Sequence, residues 1–359
     1  MEGQTHLPAS TVVKNNKRWI VGSIIFLIAA AIGLFLVKWH PYFYKVIKSA
    51  TEHSIGSSIV SGDKASAPEP SWTAAWNYSV VYFKSIWQAF VVAIILSSLV
   101  QVLVPTDWIH RLIGKTTYGS TLIAGFSALP GMMCTCCAAP LVVGLRKQQS
   151  TVAAAVAFWF GNTALNPAVL IFMFFILGWK FTLLRLLFGI VLVFGVSYMA
   201  GRFSKETADP KPIVEKAKTA QDAKGNFLIR WLKSIGAIAL ATIPAYLISV
   251  FALGAFRAWL FPMVGDQLTG GILAIIAFAI AGTLFVIPTA AEIPIIQTFM
   301  SFGLGAGPAA ALAITLPVIS LPSALMVRRA LSWRVLVFLG ALVSLLGIIA
   351  GLIGTILIG

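Results

Sequence analysis

The residues best suited to chemistry in this 359-residue chain lie in PGMMCTCCAAP, residues 130–140, which holds all three of its cysteines. Cys134, Cys136 and Cys137 offer sulfur, a soft ligand that binds soft cations and trivalent arsenic or antimony better than oxygen does. Adjacent thiols exchange a bound species quickly, whereas a complete tetrahedral cage would retain it. This spacing favours a site that binds a cargo and then releases it.

Three other interpretations of the cysteine cluster stay open. Cysteine is a small apolar residue that often only packs, and the spacing of Cys134 and Cys137 also permits a disulfide. A permanent zinc site needs four ligands, and the four histidines of the chain lie in tails or interfacial segments. The cluster alone does not choose between packing, a disulfide, a metal site and a cargo site.

A second chemical feature is Glu292, the one acidic residue in a long apolar stretch, IPTAAEIPII at residues 287–296. Burial disfavours an ionised carboxylate that has no partner. Glu292 is therefore a candidate for proton coupling, since it could load and unload a proton as access alternates. The alternative is a neutral carboxyl group that is hydrogen-bonded to the backbone of a broken helix.

Polar residues near these features complete the predicted site. The predicted substrate-binding residues are Cys134, Thr135, Cys136, Cys137, Asn162, Asn166 and Thr289. The three cysteines are also predicted to be transient metal ligands if the cargo is a soft metal ion. No catalytic residue and no resident cofactor are expected.

The composition is that of a polytopic membrane protein, which must supply the elements that position this site. Hydrophobic residues make up 59% of the chain and charged residues 10%, against about 25% in soluble domains; the mean hydropathy is +0.93. The net charge of +15 fits basic cytoplasmic loops. The sequence contains no nucleic-acid-binding motif and no P-loop, so the prediction is a secondary transporter and not an enzyme.

The apolar runs divide the chain into five predicted segments. Residues 1–40 form a cytoplasmic tail and the first transmembrane helix, and residues 41–79 an extracytoplasmic amphipathic or loop segment. Residues 80–200 form a first transporter repeat, 201–228 a charged cytoplasmic linker, and 229–359 a second repeat. The cell inner (plasma) membrane is the expected location, with several spans and a cytoplasmic N-terminus.

Apolar pieces that are too short to cross a bilayer flank both chemical features. Two such pieces surround the cysteines, which predicts a re-entrant hairpin or a broken helix. The second half repeats this pattern. YFKSIWQAF at residues 82–90 aligns with RWLKSIGAI at 230–238, CTCCAAP aligns with PTAAEIP, which ends at Pro294, and Asn162 and Pro167 align with Pro317 and Pro322. Three matches in the same order indicate an internal duplication.

Charge predicts how the two repeats are oriented. The first hairpin ends at GLRKQQ, which is basic and therefore cytoplasmic, and the second ends at SFGLGAG, which carries no charge. The repeats are thus expected to be inverted. The fold class is an all-α polytopic membrane protein with two inverted repeats, broken or re-entrant helices and one N-terminal transmembrane helix, whose site lies near the bilayer midplane.

The stretch LPGMMCTCCAAPLVVGLRKQQSTVAAAVAFWFGNTALNP resembles the YraQ/ArsP-type permease family, whose first half has a Pro-x-Cys-Ser-Cys-Gly-x-x-Pro motif. The resemblance covers about residues 80–358. Cys134 and Cys136 match the two cysteines of the motif by spacing, and Cys137 stands where the family usually has glycine. The resemblance implies efflux of organoarsenicals or metal ions, with the cysteines recognising the cargo.

The predicted function is therefore a secondary permease that exports a thiophilic solute, either a trivalent arsenical or a soft metal ion, with proton coupling at Glu292. The expected partners are the lipid bilayer and the solute, with no nucleic acid, and homodimer formation is left open. A transporter of a small sulfur compound, a membrane thiol-redox protein and a passive channel are the alternatives.

Overall fold

A computed structural model describes residues 9–62, 64, 67–104, 106–204, 227–261 and 271–359. The predicted N-terminal tail before residue 9 and the predicted charged linker from 205 to 226 lie outside the described residues. The helices of the N-terminal part and the first half are α1 (Ala9–Leu34), α2 (His40–Glu52), α3 (Trp72–Leu103), α4 (Thr106–Ile113), α5 (Tyr118–Ala128), α6 (Thr135–Lys147), α7 (Val152–Ala164), α8 (Pro167–Ile176), α9 (Trp179–Ile190) and α10 (Ser197–Phe203).

The second half has a shorter series of helices. These are α11 (Phe227–Leu260), α12 (Ile272–Leu284), α13 (Glu292–Ser301), α14 (Ala306–Thr315), α15 (Leu321–Val327) and α16 (Trp333–Leu357). Phe35–Trp39 and Val191–Val196 are π-helical turns that join α1 to α2 and α9 to α10, and Leu129–Gly131 is a 3-10 turn.

Six stretches of the described chain are long and apolar enough to cross a membrane. They are Ile20–Glu52, Trp72–Leu103, Val152–Ile176, Trp179–Phe203, Phe227–Leu260 and Trp333–Leu357. The described residues form no β-strand. The prediction of an all-α polytopic membrane protein is confirmed.

The N-terminal helix is longer than the predicted first span. It passes residue 40 without a break and ends at Glu52, so α1, the π-helical turn and α2 form one rod. Pro41 has no N–H to donate to the preceding turn, and the amide of His40 reaches back five residues to the carbonyl of Phe35. This longer hydrogen bond, from residue i to residue i−5, widens the helix into a π-helical turn. Such turns are frequent at functional sites.

The two predicted hairpins are present as pairs of short helices. The first consists of α5 and α6 and the second of α12 and α13. These helices have 10 to 13 residues, which at 1.5 Å per residue gives about 15–20 Å, against about 30 Å for the hydrocarbon core. Each hairpin therefore reaches part of the way across a bilayer.

Each half also contains a span that breaks in the middle. The first break separates α7 from α8 at Leu165–Asn166, and the second separates α14 from α15 at residues 316–320. Asn166 and Ser320 cap the helices that follow, and Pro167 and Pro322 occupy first-turn positions where a missing N–H costs nothing. The caps and prolines end one helix and start the next within the membrane.

The packing of the two halves follows the predicted duplication. Helix α3 packs against α11, and α5 packs against α7 as α12 packs against α14. The second arm of each hairpin contacts the broken span of the other half, α6 with α15 and α13 with α8. The first arm of each hairpin thus packs within its own half, and the second arm also contacts the other half. The inverted orientation of the two halves in the membrane stays a prediction.

Candidate functional site

Both hairpin tips and both helix breaks meet around one small, partly open cavity. The first tip contributes Met133, Cys134 and Thr135, and the second contributes residues 287–290 and Glu292. The remaining lining residues come from the two broken spans and are Thr163, Asn166, Val169, Leu316 and Pro317. Five predicted site residues, Cys134, Thr135, Asn166, Thr289 and Glu292, therefore lie on the same cavity.

Cys134 and Cys137 form a pair of free thiols at the first tip. Cys134 is the N-cap residue of α6, and its Sγ lies 3.0 Å from the Sγ of Cys137 one helical turn later. Only Cys134 lines the cavity, and Cys137 lies directly behind it. The N-terminus of α6 carries partial positive charge, which favours electron-rich sulfur at this position.

Cys136 points away from this pair. Its Sγ lies 3.9 Å from Ser320 Oγ and faces the phenol groups of Tyr82 and Tyr246. The two tyrosine hydroxyls are hydrogen-bonded to each other at 2.7 Å and join α3 to α11. The predicted three-sulfur site is therefore a two-sulfur pair at the cavity and a third thiol on the opposite face of α6.

The described residues contain no group of three or more His, Cys, Asp or Glu side chains placed to hold a metal ion. A lasting tetrahedral site needs four ligands. The Cys134–Cys137 pair can offer two sulfurs to a cargo, which is a ligand set suited to temporary binding.

Glu292 at the second tip forms a buried ion pair with Arg185, a residue of α9. The Nη1 of Arg185 donates to Oε1 of Glu292 at 2.7 Å, and both side chains are only 2% exposed. The sequence prediction treated Glu292 as a carboxyl group without a charged partner. The structure gives it one from the other half of the chain, which offsets the cost of burying the charge.

Arg185 also joins the two helix breaks. Its guanidinium donates to the carbonyls of Thr163 and Ala164 at the end of α7, at 2.9 and 3.2 Å, and to that of Ala313 in α14, at 3.3 Å. Sequence reasoning missed this residue. The available signal was a single arginine inside the apolar run FTLLRLLFGI, residues 181–190, because ionisable residues within spans are usually functional.

Two polar atoms on the cavity have no hydrogen-bond partner among the described residues. They are Oε2 of Glu292 and Nδ2 of Asn166, whose Oδ1 caps α8. Buried polar groups are normally hydrogen-bonded. Their convergence on one cavity indicates a place for a polar or charged solute.

Asn162 lies beside the first tip and not on the cavity. Its Nδ2 donates to the carbonyl of Phe158 at 2.9 Å, and its Oδ1 lies so close to Gly131 that a side chain there would collide with it. A glycine at residue 131 is therefore needed for the 3-10 turn to reach Asn162. This places Asn162 as a packing partner of the first hairpin.

Thr289 at the second tip accepts a hydrogen bond from Lys38 on the N-terminal helix. The Nζ–Oγ1 distance is 3.1 Å, and the Lys38 side chain is buried. The next residue, Trp39, donates from Nε1 to the carbonyl of Pro130 at the first tip, at 2.8 Å. Sequence reasoning missed both contacts because it placed this segment at the end of the first span.

The chain matches a family of predicted permeases along most of its length. A family model described as predicted permease, ArsP_1, matches residues 72–356. UPF0718 protein YraQ of Escherichia coli (strain K12) is 43% identical over 351 residues, 98% of this chain and 98% of that protein. UPF0718 protein MJ0584 of Methanocaldococcus jannaschii is 23% identical over 333 residues, 74% of this chain and 91% of that protein. No solved structure matches the chain.

Proposed function

Because the chain belongs to the YraQ/ArsP-type family of predicted permeases, we propose that it is a secondary permease for a thiophilic solute, which binds in the cavity between the two hairpin tips. We place it in the cell inner membrane with a cytoplasmic N-terminus. The proposed cargo is a trivalent arsenical or a soft metal ion, and the proposed direction is efflux.

One observation carries this proposal: the two tips and the two helix breaks enclose a cavity that exposes a free thiol. Cys134 lines the cavity, with the Sγ of Cys137 3.0 Å behind it. Secondary transporters commonly bind their substrates where discontinuous helices meet near the bilayer midplane. A two-sulfur pair binds a thiophilic solute without enclosing it, so the solute can leave on either side.

The test compares the three cysteines as single serine variants. Cys134→Ser and Cys137→Ser are expected to lower export at least about tenfold, the effect of losing about 1.4 kcal/mol of binding. Cys136→Ser is the matched control, because its thiol faces Tyr82 and Tyr246, and it should retain export within about threefold. Uptake of arsenite, trivalent methylarsenical, antimonite or Cu(I) from the medium into everted vesicles gives the export rates, normalised to protein abundance. Unchanged export of every probe in both Cys134→Ser and Cys137→Ser contradicts the proposal.

Glu292 is the proposed site of proton coupling. Protonation would neutralise its carboxylate and weaken the 2.7 Å bond to Arg185, which also holds both helix breaks. A proton at Glu292 would thereby loosen the contact between the second tip and the first half. Such a change at the junction of the halves is suited to alternating access.

Glu292→Gln tests this step, because glutamine keeps the size of the side chain and loses its titration. The variant in proteoliposomes is expected to bind the cargo while losing transport driven by a pH gradient. A pH-sensitive dye inside the vesicles measures proton movement that accompanies transport. Wild-type proton coupling in Glu292→Gln overturns the assignment.

The thiol geometry also favours a second candidate, a membrane thiol-redox protein. The 3.0 Å separation of the Cys134 and Cys137 sulfurs lets a small movement close a disulfide. The two thiols would reduce a partner disulfide to two thiols and become a disulfide themselves, so two electrons and two protons pass to the partner.

Thiol trapping in cells separates the two candidates. A redox protein should be isolated as a mixture of dithiol and disulfide forms whose ratio follows the oxidant supply. A permease should stay in the dithiol form, and its cargo should protect Cys134 from alkylation. The redox candidate is discarded if Cys134 and Cys137 stay reduced under oxidising growth.

A further inference from the structure

Lys38 is a buried cation whose charge no described carboxylate offsets. Its side chain is 6% exposed, and its ammonium donates to the hydroxyls of Tyr42 and Thr289, both at 3.1 Å. The ammonium also lies 5.1 Å from the centre of the Tyr42 ring. Within the described part of the chain, no acidic side chain lies within ion-pair distance of Lys38.

The backbone brings this charge to Thr289, a residue that lines the cavity. Lys38 lies in the π-helical turn Phe35–Trp39, and it contacts the second tip while its neighbour Trp39 contacts the first. The turn precedes residue 72, where the match to the permease family model begins. The N-terminal helix therefore adds a cationic group to a site that the two repeats otherwise build.

The charges around the cavity do not cancel. Arg185 and Glu292 neutralise each other as an ion pair, and among the described residues no carboxylate pairs with the Lys38 ammonium beside Thr289. One of its three N–H groups is not used by Tyr42 or Thr289. Asn166 adds a second unused donor, Nδ2, on the cavity. Glu292 Oε2 is an unused acceptor there, but Arg185 already balances its charge.

A buried charge without a counter-charge is costly, and a bound ion of opposite sign recovers much of that cost. We propose that the solute bound between the tips is an anion, and that Lys38 is the residue that selects for its charge. The inference rests on the proposed function in taking this cavity as the transport site. Of the proposed cargoes it retains thiophilic solutes with an acidic group and excludes free soft metal cations, and it adds small sulfur oxyanions.

The three cysteines allow a direct measurement of the charge preference, because the chain has no thiol outside this cluster. The probes are two methanethiosulfonate reagents of similar size, one with a negative sulfonatoethyl group and one with a positive trimethylammonioethyl group. A cysteine sulfur attacks the reagent, a mixed disulfide forms, and methanesulfinate leaves. The ratio of the two labelling rates in the full-length protein reports the local charge, since thiol reactivity affects both reagents equally.

Wild type is expected to react faster with the negative reagent. Lys38→Met should lower the negative-to-positive ratio by about tenfold or more, because a unit charge acts strongly at close range in a low-dielectric site. Lys38→Arg should keep the ratio within about twofold of wild type. Lys48→Met is the matched control, because Lys48 is exposed on α2 of the same rod, where it pairs with Glu52. If Lys38→Met fails to fold, Lys38→Gln makes the same test while retaining a donor for Thr289.

An unchanged ratio in a folded Lys38→Met or Lys38→Gln protein overturns the inference, as does an equal change in Lys48→Met. The measurement needs no transport, so it is independent of the cysteine test of the permease. If the cysteine variants export normally while the ratio still depends on Lys38, the proposed function fails and the anion-selective cavity stands. If the ratio does not depend on Lys38 while Cys134→Ser loses export, the proposed permease function stands and the anion-selective cavity fails.

Discussion

The two hairpin tips occupy equivalent places in the two halves but carry different chemistry. The first presents a pair of thiols, Cys134 and Cys137, at the start of α6. The second presents a carboxylate, Glu292, at the start of α13, bound to an arginine of the first half. The same hairpin shape occurs in both halves, and each hairpin carries one part of the chemistry. The first tip offers sulfur ligands, and the second tip offers a charged group.

The two tips have similar backbones although their side chains differ. Met132 in the first tip and Ala290 in the second both adopt the left-handed conformation, with φ of 48° and 71°. Both conformations let the chain turn directly into the second arm of the hairpin. We therefore expect substitutions at the two tips to differ most in their effect on stability where the side chains differ in chemistry. The difference should be smallest where only the backbone turn is involved.

The largest expected difference concerns the charged tip. Arg185→Leu leaves Glu292 buried without its partner, which should cost about 3–5 kcal/mol of unfolding free energy. Cys137→Ala at the first tip should lower the free energy of unfolding by less than about 2 kcal/mol. Unfolding in mixed detergent micelles, followed by tryptophan fluorescence, measures both.

A double variant gives the control for that experiment. Arg185→Met combined with Glu292→Met replaces the pair by apolar side chains and should recover most of the lost stability, because buried pairs often contribute little net stability. A double variant as unstable as Arg185→Leu would show that the carbonyl contacts of Arg185, and not its pairing with Glu292, stabilise the protein.

A moderate difference is expected for the two anchors that α3 provides, one for each hairpin. Tyr78 donates to the carbonyl of Val286 in the non-helical part of the second hairpin, and Ser97 donates to the carbonyl of Pro140 inside α6, at 2.5 Å. Tyr78→Phe should cost about 1–3 kcal/mol, because it leaves a buried carbonyl outside any helix without this donor. Ser97→Ala should cost about 1 kcal/mol or less, since helical carbonyls already accept a backbone bond.

Amide hydrogen exchange locates these two effects. Tyr78→Phe should speed exchange around residues 285–291 and leave α6 unchanged, and Ser97→Ala should do the opposite. Faster exchange in both hairpins from either variant would mean that the two hairpins open together as one unit and not independently.

The smallest expected effect concerns the shared turn. Ala290→Gly should leave stability unchanged or raise it by up to about 1 kcal/mol, because glycine adopts a positive φ without strain. Ala291→Gly is the matched control: Ala291 has φ of −69°, so glycine there should lower stability by about 0.5–1 kcal/mol. Thermal unfolding of the two variants checks the order, and a larger loss in Ala290→Gly would contradict the assigned conformation.

Much of this arrangement is readable from the sequence. The hairpins follow from apolar pieces too short to cross a bilayer, and the pairing of the tips follows from the aligned prolines around Cys137 and Glu292. These features depend on local length and order along the chain. Cys134, Thr135, Asn166, Thr289 and Glu292 lie on one cavity, and their binding of a solute stays a prediction.

The remaining features depend on contacts between distant segments. Arg185 and Glu292 are 107 residues apart, and Lys38 and Thr289 are 251 apart. No local pattern specifies which helix faces which tip. The direction of Cys136 is likewise set by packing, since one turn of α6 carries thiols on two faces.

The hydrogen bonds of Lys38 and Trp39 have a mechanical consequence. Neighbouring residues advance only about 1.5 Å along a helix, yet one of them contacts the second tip and the other the first. The tips can therefore move apart only as far as these two side chains reach before one bond breaks. The N-terminal helix acts as a tether of fixed length, and the bond that breaks first determines which tip stays with it during opening.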